Sequence, residues 1–214
     1  MAHPISLDEE RVADLAAYYG THSGLAHQEG TSPAFRPTNL YHFKDFMFAA
    51  IKKKSLDPAL PFFDAGFGDG RVLAAASLVF GRVLGLEADE GLAEQGLAHL
   101  DRLAGLGLIN RGKIRAVAGD FLCPDDYERK LKAETPSIRQ FYNYYDNAAD
   151  LLDFLVRHGH PRAKLLLYTS KVLVPGHDGF AATQIWEGDG FVAVVYERRA
   201  SSPLKSSINN PWLC

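Results

Sequence analysis

The chain has 214 residues, enough for one domain with a full hydrophobic core. Apolar residues make up 47% and charged residues 23%, an ordinary globular composition, and the formal net charge of −3 gives no bulk positive field for nucleic acid or an anionic membrane. The two cysteines, Cys123 and Cys214, form neither a disulfide framework nor a metal cluster, which suits a reducing compartment. No run of about 18 apolar residues is present. The first residues, with His3, Asp8, Glu9 and Glu10, do not read as a signal peptide, so the expected location is the cytoplasm.

Ser6 and Glu9 have capping-box spacing ahead of Val12, Leu15, Ala16 and Tyr19, which predicts a first helix ending at Gly20. Residues 20–37 carry Gly24, Gly30, Pro33 and Pro37 together with His22, His27 and Glu29, and read as a long irregular segment of the kind that often serves function. A second helix is expected from about Thr38, with Leu40, Phe43, Met47, Ala50 and Ile51 on one face. Its basic end, Lys52-Lys53-Lys54, reads as a solvated helix C-terminus rather than a phosphate patch.

From residue 61 onward strands and helices alternate. Strands are predicted at 61–65, 82–87, 114–118, 138–142 and 163–168. Helices are predicted at 71–80, around Leu92 to Leu103, at about 125–133 and at 147–158. Alternation with right-handed crossovers makes an α/β, doubly wound, mostly parallel sheet of Rossmann-like type. Two last strands, 181–186 and 191–196, flank Glu187-Gly188-Asp189-Gly190 and read as an antiparallel β-hairpin. The organisation expected is therefore an N-terminal helix-loop-helix extension over 1–59, a core over 60–199 and a polar tail over 200–214.

Phe62-Phe63-Asp64-Ala65-Gly66-Phe67-Gly68-Asp69-Gly70 joins the first of these strands to its helix. Three glycines at alternate positions let a bulky ligand lie against the backbone at a helix N-terminus. The dinucleotide fingerprint needs its third glycine at position 71, where this chain has Arg71. Acidic residues recur at the next strand ends: Glu87 about 20 residues on, where a carboxylate accepts from ribose hydroxyls, and Asp120 beside Phe121 after the third strand. Asp120 offers an acceptor for an exocyclic amine and Phe121 a wall for a flat base. Alone, each acid reads equally as a helix cap or a solvated strand end; their recurrence in order behind the glycine turn favours a ligand site.

The order D-x-G-x-G-x-G, then Glu87, then Asp120-Phe121 resembles the class I S-adenosylmethionine (SAM) methyltransferases over about residues 60–197. That resemblance implies SAM as cofactor and S-adenosylhomocysteine as product. It implies cofactor-binding roles for Asp64, Gly66, Gly68, Gly70, Glu87, Asp120 and Phe121, with Asp64 near the methionine portion. Gly119-Asp120-Phe121-Leu122, Phe141-Tyr142-Asn143-Tyr144 and the run from Thr169 to Pro175 are also similar to the Dot-one type, non-SET protein lysine methyltransferases. Glu29-Gly30-Thr31 resembles their cofactor-covering loop, which adds Glu29 to the cofactor set. The chain departs from that group in having Asn143-Tyr144 where it carries paired asparagines, and in lacking a basic extension.

The family places its acceptor site after the fourth strand, at Phe141-Tyr142-Asn143-Tyr144-Tyr145-Asp146. Methyl transfer needs alignment more than covalent help, so Asn143, Tyr142 and Tyr144 are the candidate catalytic residues. Asn143 is suited to accept a hydrogen bond from an amine, and aromatic faces tolerate a cation. Tyr142 and Tyr144 fall on one side of an extended segment and Tyr145 on the other, so at least one tyrosine belongs to the core. Asp146 either binds a cationic substrate or caps the next helix. A hydroxyl or carbon acceptor would need a base, for which His22 and His27 are the candidates. His158-Gly159-His160 lacks the spacing and neighbours of a metal site. The expected function is methyl transfer from SAM to a nitrogen, with a protein lysine-like amine as the acceptor that the resemblance implies. The alternatives are a small-molecule N- or O-methyltransferase and a non-catalytic binding protein on the same fold; a nicotinamide enzyme is disfavoured by Arg71.

Overall fold

The computed structural model describes residues 9–22, 37–133, 135–144, 148–169, 175–188 and 190–199. A seven-stranded sheet runs in the order β3-β2-β1-β4-β5-β7-β6. Its strands are β1 Phe62–Ala65, β2 Val83–Glu87, β3 Ile114–Ala118, β4 Gln140–Tyr144, β5 Lys164–Thr169, β6 Phe180–Glu187 and β7 Val192–Arg198. The first five are parallel, and β7 inserts antiparallel between β5 and β6. The doubly wound sheet closed by a hairpin is thus the observed fold. Strand order reverses between β1 and β4, which opens a crevice above their carboxyl ends.

One face of the sheet is covered by α1 Glu9–His22, α2 Leu40–Lys52, α3 Arg71–Ser77 and α4 Glu90–Gly105, around a core that includes Phe43, Phe62, Leu73 and Leu100. The other carries α5 Pro124–Arg129 and α6 Ala148–His158, packed on Phe63, Phe141 and Leu165. β1, buried at all four positions, reads as a continuous apolar run because both of its faces are covered.

Element ends depart from the sequence reading where local capping intervenes. The first helix passes Gly20 and ends at His22, whose Nδ1 lies 2.8 Å from the Tyr18 carbonyl. Ser6 lies outside the described residues. The second helix starts at Leu40 because Asn39 caps it, accepting from the Tyr41 and His42 amides. It ends at Lys52, as the basic run implied. The helices expected at 71–80 and 125–133 are shorter, ending at Ser77 and Arg129. The largest correction concerns the fourth strand, read at 138–142 and found at Gln140–Tyr144. Ile138 instead closes a 3-10 turn, its amide donating to the Thr135 carbonyl at 3.1 Å. Tyr142, Asn143 and Tyr144 are therefore strand residues rather than residues following a strand.

Candidate active site

The glycine turn leaves β1 with Gly66, Gly68 and Gly70 at φ of +85°, +52° and +80°, a region that side chains disfavour. Its backbone is tied down on both flanks. The Gly66 amide donates to the Leu86 carbonyl at 2.8 Å, and the Gly68 amide donates to Glu87 Oε2 at 2.8 Å. A second close approach fixes the turn from beneath. A Cβ on Gly96 of α4 would collide with the Gly68 carbonyl oxygen, and one on Gly70 would stand 3.0 Å from the Gly96 carbonyl oxygen. Helix α4 therefore rests on the turn through a glycine contact that sequence reasoning missed. Its one signal was the cost of a glycine in a helix interior.

Above the turn lies a small cleft of about 120 Å³. Asp64, Asp69 and Glu87 supply its carboxylates, Arg71 its one cation among the described residues, and Thr38, Tyr142 and Tyr144 its remaining polar wall. The three acids are in different states. Glu87 is occupied at both oxygens by backbone donors, the Gly68 and Asp89 amides. Asp69 is neutralised by Arg71, whose Nη2 lies 2.5 Å from Asp69 Oδ2. Arg71 in turn sits over the Tyr19 ring at 5.0 Å and reaches the Thr38 carbonyl. It thereby joins α1 and the entry to α2 to the turn. Asp64 has neither kind of partner: it is 1% exposed and both carboxylate oxygens are buried without a hydrogen bond. Burial, then the charges of Glu87 and Asp69, hold its carboxyl well above the usual carboxylate range.

Tyr142 is the core tyrosine. Its ring packs edge-on against Phe43, and its hydroxyl meets Thr38 Oγ1 at 2.8 Å. Burial pushes this phenol well up, so it serves as a neutral hydrogen-bonding group and not as a base. Tyr144 is half-buried on the same face, its ring 5.3 Å from that of Tyr168. Burial, then Tyr144, push the Tyr168 phenol up to about 12, and its hydroxyl lies 3.1 Å from His42 Nδ1.

Asn143 points to the opposite face and does not line the cleft as described. Its Nδ2 donates to the Ala65 carbonyl at 2.7 Å, which fixes the orientation of the amide. Oδ1 is consequently left buried and without a partner. Asp120 and Phe121 also lie outside the lining. Phe121 is buried beside Gly66, 3.6 Å from where a Cβ there would stand. Asp120 is exposed, its Oδ1 accepting from the Leu122 amide. The structure thus brings together Asp64, Gly66, Gly68, Glu87, Tyr142 and Tyr144, with Gly70 beneath and Asn143 and Phe121 against the far side of the strand ends. Glu29, His27, Tyr145 and Asp146 lie outside the described residues. Among the described residues no group of His, Cys, Asp and Glu has the arrangement of a metal site.

The chain shares this fold with an rRNA methyltransferase, aviRa, from Streptomyces viridochromogenes, at TM-score 0.60 and 13% identity over 78% of this chain and 88% of that one. An RNA methyltransferase from Salinibacter ruber, solved with S-adenosyl-L-homocysteine, matches at TM-score 0.54 and 15% identity, covering 82% of this chain and all of its own. A geranyl diphosphate methyltransferase solved with SAM matches at TM-score 0.51 and 15% identity, over 73% of this chain and 85% of that one. No known family profile and no curated protein matches the sequence. The fold is that of the class I SAM-dependent methyltransferases. Among the described residues, no helix is long and apolar enough to cross a membrane.

Proposed function

We propose that the protein is a SAM-dependent methyltransferase acting on a nitrogen acceptor, with a lysine-like amine as the preferred class. The observation that carries the cofactor assignment is Asp64. A fully buried carboxylate with two empty oxygens is costly in the free protein and has value only when a cation arrives. SAM brings an ammonium and a sulfonium, and it supplies a methyl group activated for displacement. Asp64 would meet its cationic portion, the turn backbone would cradle it, and Glu87 retains lone pairs for the ribose hydroxyls. Gly66 and Phe121 would flank the base. A nicotinamide dinucleotide, with its anionic pyrophosphate, finds no such match at Asp64, and Arg71 is already held by Asp69.

The acceptor assignment rests on Asn143. Its amide is held by the Ala65 carbonyl, which leaves Oδ1 buried and unpartnered, so the group it would offer an acceptor is a hydrogen-bond acceptor incapable of removing a proton at neutral pH. Such a group suits a nitrogen that carries its own hydrogens. It does not suit a hydroxyl awaiting deprotonation. Although two of the fold neighbours are named as RNA methyltransferases, the cleft here offers a polyanion, among the described residues, one cation already in an ion pair. Tyr144, half-buried on the cleft side of the same strand, provides aromatic surface suited to a cationic group.

The direct test is binding of SAM and S-adenosylhomocysteine by the full chain. Thermal stabilisation of about 2–3 kcal/mol is expected at about 100 times the dissociation constant. A shift with NAD and none with either of these ligands would sink the assignment. Incubation with methyl-labelled SAM and a matched lysate then separates protein from small-molecule acceptors by where the label appears.

A further inference from the structure

His99 is a buried titratable group that the chemistry of the cleft does not use. It stands on α4, with Nδ1 sealed and without a hydrogen-bond partner. Three parts of the chain close around it. From α1 come Tyr19, stacked on the imidazole at 5.6 Å, and Tyr18 and His22, edge-on at 5.6 and 6.4 Å. The glycine turn and the start of α3 bring Asp69 and Arg71, and α4 itself brings Arg102. Burial holds the imidazole below the ordinary histidine range; Asp69 works against this, while His22, Arg71 and Arg102 add to it. Asp69 is already paired with Arg71, and burial pushes the Tyr18 and Tyr19 phenols up, so both face His99 as neutral groups. A neutral imidazole can leave Nδ1 as a bare lone pair. A protonated one puts an N–H there with no acceptor to receive it.

We propose that His99 is an acid-sensing latch: neutral, it keeps the last turn of α1 docked on α4, and protonated, it opens that turn to water and loosens the cleft wall at Arg71. The wall that moves is α1. Helix α4 is fixed by the fully buried Leu100 and Leu103 and by Gly96 against the glycine turn, whereas Tyr18 and Tyr19 belong to the last turn of α1, which ends at His22. Tyr19 also supports the Arg71 guanidinium at 5.0 Å, and Arg71 lines the cleft. The latch goes beyond the methyl-transfer reading and is open to test without any ligand. A released imidazole takes its proton near pH 6.5, and the docked one only at lower pH. Between those two values the open state binds more protons than the docked state. Docking is therefore complete above about pH 6.5, weakens as pH falls below it, and levels off once the docked form is protonated as well. One proton taken up per opening limits the effect to about tenfold per pH unit.

The test is amide hydrogen exchange of the full chain, free of ligand, over about pH 5–8, expressed as protection relative to the intrinsic peptide rate at each pH. Protection at residues 18–22 is expected to fall by about three- to tenfold per pH unit below about pH 6.5, while the amides of β1 and β5 keep theirs. In His99→Phe, which keeps a flat ring against Tyr19 and cannot titrate, the fall should vanish. His22→Gln, which removes the other histidine of the cluster, should retain it. A wild-type profile without the fall would overturn the latch. So would a fall that persists in His99→Phe, and its loss in His22→Gln would then move the sensor to His22. Should His99→Phe not fold, the His99 ring proton followed by NMR in the wild-type chain decides the matter. Titration below about pH 6.5, in step with exchange at residues 18–22, supports the latch; titration at about pH 6.5 with that turn still protected overturns it.

Discussion

Asp64→Asn separates the cost of the site from its use. In the folded protein without ligand the carboxylate is buried, unpartnered and close to two other acids. Replacing it with a neutral amide of the same shape removes the charge while leaving one polar group unpaired. The gain expected is about 1–3 kcal/mol, the usual scale for relieving a poorly satisfied buried polar group. For a domain of this size that corresponds to a rise of about 2–12 °C in melting temperature. The pH dependence carries a sign. The native carboxyl holds its proton above the ordinary aspartate pKa of about 3.9, whereas the unfolded chain releases it near that value. Between these two values the native state binds more protons than the unfolded state, so wild-type stability falls as pH rises through the window and levels off above it. Asn cannot titrate. The stability difference between mutant and wild type should therefore grow from about pH 4 upward and then plateau. Thermal melts of both proteins over that range, with calorimetric titration of SAM, make the assay. The mutant should be more stable and bind SAM far more weakly. In wild type, below the raised pKa, binding should release a proton and tighten as pH rises. A mutant less stable than wild type at neutral pH, with SAM affinity intact, would refute the argument that Asp64 is retained for a cation.

Other outcomes follow from the same contacts. Gly96→Ala, which a helix interior alone would favour by about 1 kcal/mol, should instead weaken SAM binding and lower stability by about 1–3 kcal/mol, because its Cβ displaces the Gly68 carbonyl; unchanged calorimetric affinity would show that the turn yields easily. Asn143→Ala should leave SAM affinity within about twofold and lower turnover by about 10–100-fold, the factor for losing one buried hydrogen bond in the reacting complex. If single-turnover rates hold while cofactor binding falls, Asn143 belongs to the donor side. Tyr142→Phe should cost about 1 kcal/mol through loss of the Thr38 contact and leave the shape of the pH–rate profile unaltered, since a phenol pushed so far up does not serve as the base. Arg71→Gln should destabilise by about 3 kcal/mol in denaturant melts, because it removes the guanidinium and leaves the buried Asp69 with the residue-71 amide but no countercharge.

The parts of this structure that were legible in the sequence are those fixed by local chemistry. β1, β2 and β3 announce themselves as apolar runs, and the glycine turn by positions at which a side chain would be strained. The β6–β7 hairpin was readable for the same reason. The fourth strand was placed two residues early because Ile138 and Arg139 look as extended as Tyr142 and Asn143; only the 3-10 turn at Thr135–Ser137 decides the register. Of the tyrosines expected to include a core residue, Tyr142 is the one, a buried ring with one polar tip. Arg71 was read as a departure from the dinucleotide pattern, and its ion pair with Asp69 was not foreseen. Thr38 and Gly96 were invisible as site residues. Each acts through a contact with a strand or helix distant in sequence, and no local preference encodes such a contact.

The strand register joins these pieces into one arrangement. Asp64 and Ala65 are successive residues of β1 and so present opposite faces of the sheet. Asp64, with its empty oxygens, pairs in register with Tyr142 and turns toward the cleft above the glycine loop. Ala65 pairs with Asn143, and its carbonyl holds that amide so that Oδ1 stays free on the other face. A displacement at carbon requires the incoming and leaving groups to stand in line on opposite sides of the carbon. Alternation along a strand would supply that opposition without any special loop: on the proposed reading, a cation held by Asp64 and a nitrogen held by Asn143 would approach the same sheet edge from its two faces. On the proposed reading, the residues that would bind the donor and those that would bind the acceptor are set by one pairing between β1 and β4. Substitutions that disturb that pairing should therefore impair turnover more than they impair the binding of either partner alone.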